Sequence, residues 1–121
     1  MDFTLEFLQM FFVTLWYAAP LTGFLLAAIV VLGHLIGTRE GWSWADSVYY
    51  AFITATTVGY GDFHPKQRLS KTLAIVISFV GFVLTGIIVA LALHAAGHAF
   101  KGSPAYKQLV DEEKQIEKAY E

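Results

Sequence analysis

The sequence predicts an all-α membrane protein: two spanning helices, with a shorter helix and a loop between them that enter the membrane and return. Three observations predict it. Of 121 residues, 56% are hydrophobic and only 15% charged, where a soluble domain carries about a quarter. The apolar excess is gathered into Leu21–Ile36 and Leu73–Phe100, while charges collect between Arg39 and Lys71 and from Lys101 onward. Between the two apolar runs stands TATTVGYGD, Thr54 to Asp62, which is too polar to lie bare in lipid.

The first element, residues 1–19, is aromatic-rich and helix-prone. Asp2 and Glu6 stand near its start, where a helix dipole favours negative charge. Its apolar residues nearly encircle the helix, so it is expected to lie in the membrane interface or pack on a neighbour. The first span follows over 20–37. Pro20 opens it, which a first helical turn tolerates because the missing N–H has no partner there. A cleavable leader fits poorly, since no Lys or Arg precedes the segment and no small-residue cleavage site follows it.

The central stretch begins GWSW. Ser43 is followed three residues later by Asp46, a spacing that satisfies free N–H groups at a helix start. The half-helix over 44–56 is too short to cross a hydrocarbon core that needs roughly 20 residues. It enters partway, and residues 57–62 must return. Irregular backbone at membrane depth survives only where it is buried in protein or lines a water-filled cavity. The second span, 69–100, exceeds the required length and stops before Gly102 and Pro104. The remainder, 101–121, reads as a charged cytoplasmic helical tail.

A cation crossing lipid must exchange its water for other oxygens. Backbone carbonyls of an extended segment can supply them if successive ones point the same way. That requires left-handed backbone angles, which glycine adopts readily. Thr57-Val58-Gly59-Tyr60-Gly61 alternates in the required manner, with a hydroxyl at its inner end. The half-helix before it aims its partly negative C-terminus at the same place.

The run TTVGYGD resembles the selectivity filter of potassium channels. From Gly37 to Phe100 the chain is similar to the minimal two-helix pore family of prokaryotic channels, a unit repeated in two-pore-domain channels. Asp46 and Tyr49 in the half-helix, the filter, Pro65 after it and Gly81 in the second span carry the match. The resemblance implies a fourfold homotetramer around a central pore, in contact with membrane lipid. It implies K+ as the permeant ion, held by carbonyls of Thr57, Val58, Gly59 and Tyr60 with the Thr57 hydroxyl, and Gly61 completing the run. Val58 and Tyr60 side chains would face away from the axis. Tyr60 stands where related non-selective channels carry an acid, which favours potassium over sodium. Asp62, Tyr49 and Tyr50 would support the filter, and His64 would line the outer vestibule. The location implied is a prokaryotic plasma membrane, with both termini cytoplasmic. One departure is Ile53, where many members carry an acid or polar group, so Asp62 must find another donor; Tyr49 offers one.

Other residues keep two readings at this stage. Gly81 suits a gating hinge or close helix packing; for Gly86 packing is preferred. His94 and His98, at i and i+4, suit a proton-sensitive gate or two interfacial imidazoles without a role, and a zinc site lacks a third ligand. Tyr106, Leu109, Glu113, Ile116 and Tyr120 have coiled-coil spacing, but a solvated helix fits the acidic seam better. Lys and Arg number four in the central loop and four in the tail, so the positive-inside rule does not decide orientation. The absence of cysteine removes disulfide, thiolate-metal and redox chemistry. No arginine-rich span precedes Pro20, so no voltage sensor is expected. No nucleophile–base pair stands out, and neither an enzyme, an organic cofactor, a small-molecule substrate nor nucleic acid is expected. A weakly selective cation pore and a non-conducting assembly subunit are the alternative functions.

Overall fold

A computed structural model describes residues 2–121. It is built of helices: α1 (Phe3–Tyr17), α2 (Ala19–Glu40), α3 (Trp44–Ala55), α4 (Arg68–Lys101) and α5 (Pro104–Tyr120), with no strand among the described residues. Both α2 and α4 are long and apolar enough to cross a membrane.

The chain divides into two compact units. One comprises 19–88, and the other combines residues up to Ala18 with 89–121. In the first unit α2 runs past Gly37 to Glu40. It stops at Gly41, whose φ of 76° is left-handed, and the Trp42 N–H returns to the Gly37 carbonyl at 2.9 Å. This is the Schellman closure that a C-terminal glycine permits. Two residues later Ser43 caps α3, its Oγ accepting the Asp46 N–H at 3.1 Å.

Small residues let α2 and α3 approach. A methyl added at Gly33 would stand 2.5 Å from the Ala51 Cβ, and one at Gly37 would abut the Ser47 side chain. In lipid there is no hydrophobic force between helices, so such close van der Waals packing is what joins them. Ser47 is buried there, and its hydroxyl is satisfied by donating to the Ser43 carbonyl at 2.7 Å. The core of this unit is Ile29 and Ile36 from α2, Tyr50, Ala51 and Ala55 from α3, and Ile77 and Leu84 from α4. Thus the half-helix packs along α2 and shares its core with Ile77 and Leu84 of α4.

In the second unit, Phe3, Phe7 and Phe11 stack along one side of α1 at ring separations of 6.4 and 5.9 Å. No α1 residue is fully buried. Glu6 reaches the turn after α4, where a methyl on Gly102 would stand 2.8 Å from its Oε2. Ser103 caps α5, accepting the Tyr106 N–H at 3.3 Å, and Pro104 takes the first helical position.

Candidate ion filter and its supports

The segment after α3 is built from alternating backbone hands. Thr57, Gly59 and Gly61 have φ of 66°, 57° and 80°, and all three lie in the left-handed region. Two are glycines, for which this conformation is unstrained. Thr57 is β-branched and is the only non-glycine with positive φ among the described residues. Such a residue held there costs of order 1–3 kcal/mol, and strain of this kind gathers at functional sites. Every second residue from 57 to 61 is therefore left-handed.

Hydrogen bonds tie this segment to the end of α3. The Gly59 N–H donates to the Ile53 carbonyl at 3.1 Å and the Thr57 N–H to the Thr54 carbonyl at 3.2 Å. The Phe52 carbonyl accepts both the Thr56 N–H, at 2.9 Å, and the Thr56 hydroxyl, at 2.6 Å. The last-turn carbonyls of α3 are thus largely engaged by the filter itself. Ile53, whose side chain is buried, serves through its carbonyl rather than through a polar side chain.

Below this junction Gly81 of α4 meets the Ala55 backbone, where a methyl would abut the Ala55 carbonyl oxygen and lie 2.6 Å from its Cα. Only glycine lets α4 come so near. Gly86 has nothing within 4 Å. Close packing, one of the two readings of Gly81, is thus found there, while Gly86 meets no other part of its own chain. Helix α4 runs unbroken through both.

At the far end of the segment the Asp62 carboxylate faces the Tyr49 hydroxyl. Hydrogen bonding to Asp62 raises the Tyr49 phenol above its ordinary value, and burial and the carboxylate charge add to it. Tyr50, predicted beside it, turns instead into the core, 5% exposed, with its ring 5.0 Å from that of Trp42. His64 lies exposed with Nδ1 3.3 Å from the Gly61 carbonyl oxygen, which places an imidazole at the last filter carbonyl. Val58 and Tyr60 side chains are 50% and 72% exposed within one chain.

Three supports were not singled out by the sequence. Glu40, at the end of α2, accepts the Lys66 and Gln67 N–H groups on one oxygen at 2.9 and 3.0 Å. The Gln67 side-chain amide returns to the Arg39 carbonyl at 2.8 Å. Together they fasten the loop ahead of α4 to the end of α2. Gly33 and Gly37 are the third support, and their GxxxG spacing was a legible signal. Glu40 offered none, since its partners lie 26 and 27 residues away.

In the other unit His94 and His98 are both exposed. They share a cleft of about 210 Å³ with Leu93, Gly97 and Lys101. His98 also borders a cleft of about 190 Å³ with Glu6, Gln9, Met10 and Val13. Among the described residues no three His, Cys, Asp or Glu side chains gather as a metal site.

Comparison with known proteins gives one family. Residues 11–96 match the profile described as "Ion channel". Among curated proteins, the chain is 41% identical over 56 residues to "Probable potassium channel protein 2" of Methanocaldococcus jannaschii, covering 46% of this chain and 16% of that protein. It is 36% identical over 81 residues to "Two pore potassium channel b" of Oryza sativa subsp. japonica, covering 60% and 23%. It is 35% identical over 57 residues to "Potassium channel protein 1" of Methanocaldococcus jannaschii, covering 47% and 17%. The chain thus spans less than a quarter of each relative's length. No solved structure gives a significant match.

Proposed function

The chain belongs to this ion channel family, and from that premise we propose that four copies conduct potassium passively across a membrane. The reading rests on one observation above the rest: left-handed backbone at Thr57, Gly59 and Gly61. Carbonyls of Thr57, Val58, Gly59 and Tyr60 form stacked rings of oxygen, with the Thr57 hydroxyl at the inner end and Gly61 completing the run. K+ is the permeant ion, and its lost hydration is replaced by these dipoles without any organic cofactor. Names of relatives that contain "potassium channel" support the choice of ion.

Assembly into a tetramer follows from the filter's needs. One strand supplies one oxygen per level, far fewer than a dehydrated cation requires. The exposed Val58 and Tyr60 side chains find their packing partners in neighbouring subunits and so hold the pore at fixed width. With two spans and a re-entrant loop, both termini share one face, the cytoplasmic side of a prokaryotic plasma membrane. At 34 residues α4 is about 51 Å long, more than the roughly 30 Å hydrocarbon core. Its inner end with His94 and His98 therefore extends beyond the lipid. Gly81 doubles as packing contact and gating hinge.

Purified protein in liposomes tests this reading. Potassium uptake without comparable sodium uptake is expected, from a particle whose mass in mild detergent is that of four chains. Potassium should steady that particle, because it binds only the assembled form. Equal sodium uptake would make it a weakly selective pore; no uptake would make it a non-conducting subunit.

A further inference from the structure

From Thr56 to Leu69 every residue is exposed except Phe63 and Pro65, which are half-buried. The Phe63 ring turns inward from the filter loop and meets two others edge-on. Its centroid lies 5.4 Å from that of Trp42 at 73° and 6.2 Å from that of Tyr49 at 78°. Edge-to-face contact is the arrangement that aromatic quadrupoles favour.

Both partners are themselves fixed. Trp42 is anchored by its N–H on the Gly37 carbonyl and by its contact with the buried Tyr50 ring. Tyr49 sits within α3 and faces Asp62. The Phe63 N–H in turn donates to Asp62 Oδ1 at 3.1 Å. One ring thus joins the turn between α2 and α3, the middle of α3 and the carboxylate that ends the filter.

We propose that Phe63 is a positioning residue for the outermost ion site, its ring clamped between Trp42 and Tyr49 so that Asp62 and the Gly61 carbonyl keep their place. The inference rests on the filter reading above. Without the ring, Asp62 loses its register against Tyr49, and the Gly61 and Tyr60 carbonyls are free to rotate off the axis. The outermost site then binds potassium more weakly, while the inner sites, tied to α3 through Gly59 and Thr57, are unaffected.

The test is channel current against outer potassium for wild type, Phe63→Ala, Phe63→Tyr and Trp42→Ala. Phe63→Ala is expected to conduct normally at saturating outer potassium but to need more of it. Its half-maximal concentration should rise at least about two- to tenfold, the factor that loss of one edge-to-face ring pair gives, since Phe63→Ala removes two such pairs. Phe63→Tyr, which keeps the ring, should restore the wild-type value. Trp42→Ala should shift in the same direction, and the double variant should add less than the sum, as for residues acting through one contact. If Phe63→Ala fails to assemble, Phe63→Leu, which keeps volume without the ring edge, carries the same test. A conducting wild type with unchanged outer-potassium dependence in the variant overturns this inference alone. A wild type that passes no potassium overturns the filter reading with it.

Discussion

Replacing Gly81 with alanine should injure this protein far more than a methyl group ordinarily would. The added Cβ would abut the Ala55 carbonyl oxygen and stand 2.6 Å from Ala55 Cα and 2.7 Å from its carbonyl carbon. Ordinary contact begins near 3.4 Å, so the backbones must part by at least about 0.8 Å at the Ala55 Cα and by more at its carbonyl oxygen. No flexible side chain is present to swing aside. Overpacking of this kind costs about 1–3 kcal/mol per site. In the proposed tetramer that cost would be repeated four times, about 4–12 kcal/mol, comparable to the entire stability of many domains. The strain falls two residues before Thr57, where the filter begins. Gly81→Ala is therefore expected to lower the melting temperature of the purified assembly by several degrees and to reduce potassium uptake. Gly86→Ala is the control, because nothing lies within 4 Å of its added methyl, and it should melt no lower than wild type. Equal behaviour of the two variants, or an undisturbed Gly81→Ala, would refute the packing argument.

Three further outcomes follow from the titratable groups. A fixed positive charge at position 64, as in His64→Lys, should oppose the attraction of Asp62 for cations and cut single-channel current; His64→Asn should cause no such loss. The effect should be strongest at low salt, since screening at 0.1 M acts over about 10 Å. Fixed positive charge at the inner end should open the channel, because lysines in a His94→Lys, His98→Lys variant repel across the closing bundle of the proposed tetramer. Lys101 strengthens that repulsion and Glu6, across the cleft from His98, weakens it, so current should exceed wild type in the double lysine variant and not in the double glutamine variant. Tyr49 has a raised phenol value, so its contact with Asp62 stabilises the fold fully below the ordinary value of about 10. That contribution is lost as pH rises through the raised value, and an alkaline melting series on Tyr49→Phe should lack the corresponding decline.

Much of the fold was legible because lipid imposes simple rules. Length and apolarity picked out α2 and α4, and Ser43 with Asp46 marked the start of α3. The filter was legible for a different reason: glycine at 59 and 61 announces left-handed backbone. Thr57 at φ 66° was not announced, because β-branched residues disfavour that region and tertiary context overrides the preference. The extension of α2 beyond Gly37 was missed since glycine reads as a helix end, while here Gly41 serves that purpose and Gly37 admits Ser47. The Asp62–Tyr49 pairing could be inferred from the absence of an acid at Ile53. Tyr50 could not be separated from Tyr49 by sequence, as adjacent helix positions differ by about 100° and only packing shows which faces the filter. Glu40 and the Trp42–Phe63 contact were invisible, since nothing local fixes partners across the loop.

The reversal potential between potassium on one side and sodium on the other tests the central claim most directly, measured for wild type and for Tyr60→Asp. If the carbonyls from Thr57 to Tyr60 form the ion sites, wild type should prefer potassium at least tenfold and reverse about 59 mV or more from zero. Tyr60→Asp should fall toward zero as sodium enters. A wild-type reversal at zero, or a potential unchanged by the substitution, would contradict the account.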